Sequence, residues 1–463
     1  MATMTTLSRL EDRLSRPVAA YSLAVFRILF GALLVWDCWR FIHYDRIWRY
    51  WVQPDFHFSY PGFGWVAALP EPWIHLAWLT MGLAALFVML GLFYRVAILT
   101  LTLLFTYFFL IDAAEYLNHF YLVLLYAALL CALPAAQVWS LDARRKPRPA
   151  TVPYAAVFAL RVQTEIVLLY AGLVKITPDW LRGEPLGLWL RDRMEDTWLE
   201  PVFQQDWLII AACWAVIALH VLGAPLLMIA RTRLPVFLIY CFFHSANAYF
   251  FNIGIFPWLT IAASTIFFAP DWPNRFAARI AGTSAPTLTP LTPLPPRHLP
   301  RLVLGVLALW IAVQIVLPVR GVIFDSETRW SGDGHRFSWR MRIYDRQAEG
   351  VFIVTDRDSG EEWIVDPYEM LTTRQADKML VRADMVHQFA NHLGVLWRTR
   401  GRDVAVRAEI CKSLNGRPCQ SFIDPNTDLT QVRVNRFTAD DWVLPMTRAH
   451  WGVSDNRVQI AAD

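Results

Sequence analysis

The sequence predicts a mostly α-helical polytopic membrane domain of eight or nine transmembrane helices, followed by an extracytoplasmic, β-rich α+β domain. Hydrophobic residues make up 56% of the 463 residues and charged residues only 18%, and the mean hydropathy is +0.33. Apolar runs near 20 residues, the length that crosses a bilayer as a helix, recur through residues 1–320. Residues 321–463 have the mixed composition of a soluble domain, so we place the domain boundary there.

Nine apolar runs are candidate transmembrane helices. Pro257 interrupts the start of the eighth run, so the predicted count is eight or nine. The runs cover residues 20–38, 73–92, 96–112, 118–135, 154–176, 207–230, 234–251, 254–270 and 301–319. A proline-rich stretch at 281–300 is predicted to be an extended linker before the last run.

Basic residues are concentrated in alternate connections between the runs. They cluster before the first run, at 144–148 and at 231–233, and are sparse at 39–72 and 113–117. The positive-inside rule therefore predicts a cytoplasmic N-terminus and an extracytoplasmic C-terminal domain. Heavy use of arginine and alanine indicates a bacterium, hence a multi-pass protein of a bacterial cytoplasmic membrane. The net charge of +4 and the lack of a long basic run argue against nucleic-acid binding.

Patterns in the C-terminal domain predict strands and one long helix. Alternation at 335–343 predicts a strand, and 351–365 is typical of a hairpin. Thr372 and Gln375 form a capping box that opens a helix to about residue 397, whose buried face would carry residues such as Phe389 and Leu393. Further strands are predicted at 403–411, 418–423 and 430–437.

Lys175 stands at the end of the fifth apolar run, just before Pro178. A cation at such a place is most often a snorkelling anchor. The composition favours another role, because the chain has four lysines against 39 arginines and an anchor would be expected to be arginine. Unlike a guanidinium, a desolvated amine can lose its proton near neutral pH. We therefore expect Lys175 to be a catalytic base at the membrane edge, with a lowered pKa.

Other polar residues are expected at the depth of Lys175. Asn118 and His119 begin the fourth run on its outer side, and His244 and Asn247 lie one helical turn apart in the outward-running seventh. Ionisable residues inside a membrane are costly and tend to face cavities, although each histidine alone could equally be a packing residue. No spacing resembles a metal site, a phosphate loop or a serine-nucleophile motif, so we predict no metal.

Arg27 and Arg161 lie nearer the cytoplasmic ends of their runs. We expect them to pair with carboxylates such as Asp37 or Glu165, or with lipid headgroups, rather than with substrate.

Of the six cysteines, Cys411 and Cys419 flank a segment with the pattern of a hairpin loop. A three-residue loop with Gly416 in the left-handed conformation would put the two cysteines directly opposite each other. Because the topology places this hairpin in an oxidising compartment, we predict a disulfide; two reduced thiols on one sheet face are the alternative.

Ordered motifs lie along nearly the whole chain. The central one is Ala171-Gly172-Leu173-Val174-Lys175. The others lie at 26–31, 90–95, 118–122, 139–142, 179–180, 244–256, 337–341, 422–425 and 442–445. In these motifs the chain resembles the vitamin K-dependent γ-glutamyl carboxylases and their bacterial HTTM relatives.

The resemblance implies an enzyme that uses vitamin K hydroquinone, or menaquinol, with O2 and CO2 as co-substrates. Lys175 falls at the family's lysine, which deprotonates the hydroquinone. Conversion to the 2,3-epoxide is coupled to removal of a γ-proton from a glutamate side chain, where CO2 is captured. Such a strong base requires a cavity without bulk water.

The same resemblance assigns roles to further residues. Asn118 and His119 would hold the quinol oxygens, with His119 also counted as catalytic, and His244 and Asn247 would line the pocket. The substrate glutamate would meet side chains of the outer domain, namely Arg346, Tyr344, Trp339 and Trp442.

Two departures from the animal enzymes bear on the substrate site. Tyr344 stands where the animal enzymes have histidine, and the chain stops soon after Trp442, without their long C-terminal extension. Ordinary packing in the outer domain is the alternative role for Trp339 and Trp442.

The implied partners are membrane lipids, an exported or membrane protein or peptide that contains glutamate, and a quinone epoxide reductase. Two alternatives remain open at this stage. One is quinol epoxidation without carboxylation, and the other is a non-catalytic HTTM protein that takes part in the maturation of secreted peptides.

Overall fold

The structure is a computed structural model that describes residues 6–251, 253–283, 298–435 and 437–447. Apolar helices fill the N-terminal two-thirds of the described chain, and a smaller part with a four-stranded sheet follows. Most of the predicted linker at 281–300 lies outside the described residues, so its conformation stays a prediction.

Each of the nine predicted runs falls on a helix. Within the described ranges, six helices are long and apolar enough to cross a membrane, whereas Asn118–Ala132 and Phe256–Phe267 are apolar but shorter, so the predicted count of eight or nine is not confirmed. The nine helices are Tyr21–His43, Trp73–Leu90, Tyr94–Ile111, Asn118–Ala132, Tyr154–Leu173, Asp206–Met228, Arg233–Phe250, Phe256–Phe267 and Arg301–Ile323.

Short elements connect these helices. Two three-residue strands, Pro17–Ala19 and Thr151–Pro153, pair antiparallel beside the starts of the first and fifth helices. The remaining short α-helices of this part are Thr6–Ser15, Leu141–Arg145, Pro178–Leu181, Leu186–Met194, Glu200–Phe203 and Trp272–Ile280.

The guanidinium of Arg27 ties together the ends of several helices. It is fully buried and donates to backbone carbonyls of Val88, Met89, Ala135 and Trp139 at 2.5–3.0 Å. These carbonyls lie at or beyond helix C-termini, where intrahelical partners are missing, so the cation satisfies them.

Among the described residues, neither Arg27 nor Arg161 therefore forms the expected pair with Asp37 or Glu165, and the alternative pairing with lipid headgroups stays a prediction. Arg161 likewise donates to the carbonyls of Ile266 and Phe268, at 2.8 and 2.7 Å. Asp37 pairs instead with Arg40 at 3.2 Å, one turn away on its own helix.

The C-terminal part contains a small antiparallel sheet. Its strands lie in the order Glu362–Val365, Arg346–Asp356, Val404–Leu414 and Gln420–Ser421. The hairpin predicted at 351–365 is present, with Phe352 opposite Val365. No strand covers 430–435, the part of the predicted 430–437 strand that precedes a gap in the described residues.

The strand predicted at 335–343 is wrong. Phe337, Trp339 and Arg342 adopt positive φ angles of 61°, 57° and 49°, which interrupts an extended ladder. The alternating pattern arises because this segment packs on the membrane helices: Trp339 stacks on Tyr121, with 5.0 Å between ring centroids.

The long helix predicted from residue 372 to 397 is instead two helices, Thr373–Leu380 and Ala383–Thr399. The capping box of Thr372 and Gln375 is present. At the break, the carbonyl of Val381 accepts a hydrogen bond from the fully buried amine of Lys412 at 3.0 Å. The Lys412 amine thus supplies the hydrogen bond that an amide of a continuous helix would otherwise donate to this carbonyl.

The predicted buried helix face packs on the sheet. Met379, Val386, Phe389 and Leu393 are all fully buried, and the Phe389 ring meets Phe352 with 5.0 Å between centroids. Two further short helices, Thr328–Ser331 and Pro367–Met370, complete this part.

Cys411 and Cys419 form the predicted disulfide, with 5.5 Å between their Cα atoms. The predicted register of the hairpin is wrong, since Cys411 lies opposite Ser421 and Cys419 lies in the loop. The connection between the two strands covers residues 415–419 and is therefore longer than three residues. Asn415 and Gly416, with positive φ angles of 52° and 73°, form its first turn, in which the amide of Arg417 donates to the carbonyl of Leu414 at 3.2 Å.

The C-terminal part rests on one end of the helices. Arg374 donates to both carboxylate oxygens of Glu115 at 2.7 and 2.8 Å, and Gln375 donates to Asp112 at 2.8 Å. Both acids directly follow the helix Tyr94–Ile111. The same junction encloses the candidate active site.

Candidate active site

A cavity of about 910 Å³ lies between the helix ends and the C-terminal part. Seven of the nine predicted catalytic and binding residues line it: Asn118, His119, Lys175, His244, Asn247, Tyr344 and Arg346. They come from four separate segments of the chain. The fold thus brings together five residues that expected depth associated and two, Tyr344 and Arg346, that the resemblance added.

Lys175 lies in the wall of this cavity, two residues beyond the helix Tyr154–Leu173. Its side chain is 6% exposed, and its amine donates to the carbonyls of Ala171 at 2.9 Å and Met341 at 3.1 Å. The Trp180 ring lies 5.1 Å from the amine. Among the described residues no carboxylate oxygen lies within 4.0 Å of the Lys175 amine. Burial lowers the pKa of Lys175 to about 8.

The motif before Lys175 needs a glycine at position 172 because a neighbouring helix lies too close for a side chain there. A Cβ at this position would lie 2.7 Å from the Cβ of His220, on the neighbouring helix. The absent side chain lets the two helices approach closely, which brings His220 into the cavity that Lys175 also lines.

His220 is a cavity residue that the sequence reasoning missed. It is 4% exposed, lies in a five-residue π-helical segment, Leu219–Gly223, and its Nδ1 lies 2.8 Å from the carbonyl of Val216. π-Helical turns inside α-helices occur often at functional sites. A histidine in an apolar span was the available signal, by the same rule that singled out His244.

The two predicted histidines differ in their surroundings. His244 is 2% exposed, and neither of its ring nitrogens has a hydrogen-bond partner among the described residues. Its ring packs near Tyr240, Phe243 and Phe256, with centroids 5.1–6.1 Å apart. Buried nitrogens without partners are costly, so this ring is available for a ligand in the cavity.

His119 lies at the start of the helix Asn118–Ala132, and its ring, like that of His244, packs near Phe256, with 6.3 Å between centroids. Its Nε2 lies 3.6 Å from the position where a Cβ of Gly254 would stand, and its ring makes no hydrogen bond within the described part of the chain. Asn118 donates to the carbonyl of Arg340 at 3.3 Å and accepts from the Tyr116 hydroxyl at 3.1 Å. The amide of Asn247 donates to the carbonyl of Phe243 at 3.0 Å.

The wall contributed by the C-terminal part is strongly basic. Asp37 is the only carboxylate among the described lining residues. The basic wall consists of Arg340, Arg342, Arg346, Arg374, Lys378 and Arg382.

Burial is the main cause of the altered acidity in this wall. It lowers the pKa of Arg346 to about 10, that of Arg382 to about 9 and that of Lys378 to about 8. Charged groups held so close together favour an anion that neutralises them. The sequence showed only scattered basic residues, because these six come from two segments that the fold brings together.

Tyr344 and Arg346 are in direct contact. The guanidinium of Arg346 lies 4.2 Å from the centre of the Tyr344 ring, and Arg340 donates to the Tyr344 hydroxyl at 2.9 Å. The tyrosine therefore orients two cations of the basic wall.

Two predicted substrate residues lie elsewhere. Trp339 is fully buried against Tyr121, and Trp442 is 5% exposed and stacks on His387, with 6.0 Å between centroids. Neither lines the cavity, and the alternative role of core packing describes both.

Comparison with known families agrees with this arrangement. The HTTM domain matches residues 15–272, more than half of the chain, and the lumenal domain of vitamin K-dependent gamma-carboxylase matches residues 299–449. The chain belongs to the vitamin K-dependent gamma-carboxylase family. No solved structure matches it.

Family membership supports a vitamin K-dependent carboxylase enzyme of the membrane, with vitamin K hydroquinone as cofactor and proteins that contain glutamate as substrates. The two matched domains meet at the cavity: Lys175 and His244 belong to the HTTM domain and Arg346 to the lumenal domain. In the described ranges no group of three His, Cys, Asp or Glu side chains could hold a metal ion.

Proposed function

We propose that this protein carboxylates glutamate residues of exported or membrane proteins at the γ-carbon, coupled to epoxidation of vitamin K hydroquinone by O2. The observation that carries the proposal is the buried amine of Lys175, which faces the cavity without a carboxylate partner among the described residues. With a pKa of about 8, roughly a tenth of the amine is neutral at pH 7.

The cavity residues suit a hydroquinone, which bears two hydroxyl groups on an apolar ring. His119, Asn118, His244 and Asn247 all line the cavity, and the nitrogens of His244, which have no partner among the described residues, can bind a hydroxyl. The bound hydroquinone, oxidised by O2, supplies the strong base that removes the γ-proton of glutamate.

The chain's own residues have separate tasks in this proposal. Neutral Lys175 accepts a hydroxyl proton, and the carbonyls of Ala171 and Met341 hold the resulting ammonium in place. Phe243 and Phe256 beside His244 exclude water, which would quench a strong base. Arg346 and its neighbours in the basic wall hold the carboxylate of the glutamate and that of the product.

Substitution of Lys175 tests the proposal. Purified Lys175→Ala and Lys175→Arg proteins should lose epoxide formation from vitamin K hydroquinone, while Lys146→Ala, which removes an exposed lysine, should retain it. Wild-type-like epoxide formation by Lys175→Ala in folded protein would exclude the catalytic base.

Epoxidation without carboxylation is a second candidate, and the contact between Tyr344 and Arg346 favours it. The tyrosine occupies a wall where the resemblance leads us to expect histidine, and it engages Arg346. Labelled CO2 and a glutamate-containing peptide distinguish the candidates, since carboxylation transfers label to the peptide and epoxidation alone does not. If neither product forms in a folded wild-type protein, the remaining candidate is the non-catalytic role in secreted-peptide maturation.

The same proposal fixes an orientation and a partner. The N-terminus would lie in the cytoplasm, and the C-terminal part would face outward from a bacterial cytoplasmic membrane. On this outer side a glutamate-containing substrate would meet the basic wall during export. A quinone epoxide reductase would regenerate the cofactor. Accessibility of cysteines introduced at exposed positions such as Arg13 and Glu361 to an impermeant thiol reagent tests this orientation in intact cells.

A further inference from the structure

A second cavity, of about 340 Å³, lies at the other end of the membrane helices. It includes Tyr154, the first residue of the helix that leads to Lys175, so about 30 Å of helix separates the two sites. Three arginines line it, Arg16, Arg161 and Arg233.

Two of these guanidiniums are fixed by backbone carbonyls. Arg161 is 7% exposed and uses Nε and Nη2 for the carbonyls of Ile266 and Phe268, which leaves Nη1 3.3 Å from the Tyr154 hydroxyl. Arg233 uses Nε and Nη2 for the carbonyls of Leu227 and Met228, at 2.9 and 3.0 Å. Both cations are therefore held in place before any ligand arrives, which lowers the entropy cost of binding.

The positive charge of this cavity exceeds its negative charge. Asp271 is the single carboxylate among the described lining residues, and it already pairs with Arg275 at 2.7 Å. Arg161 and Arg233 have no carboxylate within 4.0 Å in the part of the chain that the structure describes. The cavity therefore has an excess of positive charge, three guanidiniums and one carboxylate that already pairs with Arg275, which favours binding of a further anion.

The position of the cavity indicates which anion. Tyr154 and Arg233 are the first residues of two apolar helices, and Val18 and Ala19 directly precede a third. Helix ends of this kind lie at the level of lipid headgroups. Guanidiniums form forked hydrogen bonds to phosphate oxygens, and a tyrosine hydroxyl adds a donor.

We propose that this second cavity binds a phosphate group, held by Arg16, Arg161, Arg233 and the Tyr154 hydroxyl. The phosphate belongs either to an anionic phospholipid or to a soluble phosphate ester. The proposal does not depend on the chemistry at Lys175, because the two sites share no residue.

The test is a titration of the full-length protein in detergent with phosphatidylglycerol and, separately, with inorganic phosphate, followed by native mass spectrometry and by the shift in unfolding temperature. Arg16→Gln/Arg233→Gln should weaken binding about tenfold or more, because two charge-assisted contacts are lost. This pair spares the buried Arg161. Because Arg233 also donates to two carbonyls, the unfolding temperature of the variant without ligand is compared with that of the wild type.

Arg13→Gln/Arg231→Gln is the matched control, since it removes two exposed arginines that do not line the cavity. It should bind within about twofold of the wild type. If the cavity pair weakens binding of phosphatidylglycerol alone, the cavity is a lipid site. If it weakens binding of both phosphatidylglycerol and inorganic phosphate, the phosphate group suffices for binding. The proposal is overturned if the wild type binds neither probe, or if the cavity pair and the control pair bind equally.

Discussion

Arg417 donates two hydrogen bonds to the carboxylate of Asp179, at 3.0 and 2.9 Å, across the junction of the two matched domains. The side chains are 5% and 1% exposed. Asn415 adds a third bond to the same carboxylate at 2.7 Å. Asp179 lies four residues beyond Lys175, and Arg417 lies inside the disulfide loop. These hydrogen bonds therefore hold the disulfide loop against the segment that carries the proposed base.

Loss of this contact should destabilise the protein more than loss of an exposed ion pair. Arg417→Ala removes two charge-assisted hydrogen bonds from a buried carboxylate that keeps Arg329 at 3.3 Å and Asn415 as partners, so the loss should cost about 1.5–3 kcal/mol. Arg407→Ala, which breaks a half-exposed pair with Glu362, should cost only about 0–1 kcal/mol. Thermal unfolding measures both variants, and equal unfolding temperatures would refute the role assigned to Asp179.

The disulfide should stabilise the loop that presents Arg417. Cys411→Ser/Cys419→Ser removes a cross-link between residues eight apart, and such cross-links typically contribute about 2–4 kcal/mol. We expect a lower unfolding temperature for the variant, and a reductant should lower that of the wild type but not that of the variant. A reductant that shifts both proteins equally would show that another thiol is responsible.

Epoxide formation should depend on pH through Lys175. Because the proposed base must be neutral, the rate should rise about tenfold per pH unit below a pKa of about 8 and level off above it. A rate that is flat or falls with pH across this range would contradict the assignment.

The same group predicts a trend in stability. Burial lowers the Lys175 pKa from 10.5 to about 8, so between these values the unfolded chain binds more protons than the native one. The lysine's contribution to the free energy of unfolding should therefore increase as pH rises through this window. As the pH rises through this window, the unfolding temperature of the wild type should increase relative to that of Lys175→Met measured at the same pH.

His220 should be needed for activity, although it was not predicted. We expect His220→Ala to lower the rate of epoxide formation by about 10²-fold, since His220 lines the same cavity as Lys175 and packs against Gly172, three residues before the lysine. His75→Ala, at a partly exposed position, is the control and should have little effect. If His220→Gln retains the wild-type rate and pH profile, the histidine only packs and does not take part in proton transfer.

The sequence predicted the helices of the membrane part well, because each apolar run exceeds the length at which helix and strand patterns are confused. Lys175, His119 and His244 could be found from composition and depth. His220 could not be ranked above a packing residue without knowing that Gly172 admits its helix so closely.

Errors arose where tertiary contacts replaced local patterns. The alternation at 335–343 reflects burial against Tyr121 rather than a ladder, and Trp339 is part of that packing. The helix break at Val381 depends on Lys412, which is 31 residues away in sequence. The basic wall has no sequence pattern, because its members come from two segments of the C-terminal part, 340–346 and 374–382, that meet only when this part folds.

The carbonyl of Met341 that holds the Lys175 amine has a practical consequence for dissecting this family. Met341 lies in the lumenal-domain match and Lys175 in the HTTM match, so a truncated product of either half would present an incomplete reaction centre. Expressing the halves from separate genes should give inactive fragments, and any activity that returns on mixing them would measure how well the severed pieces reassemble.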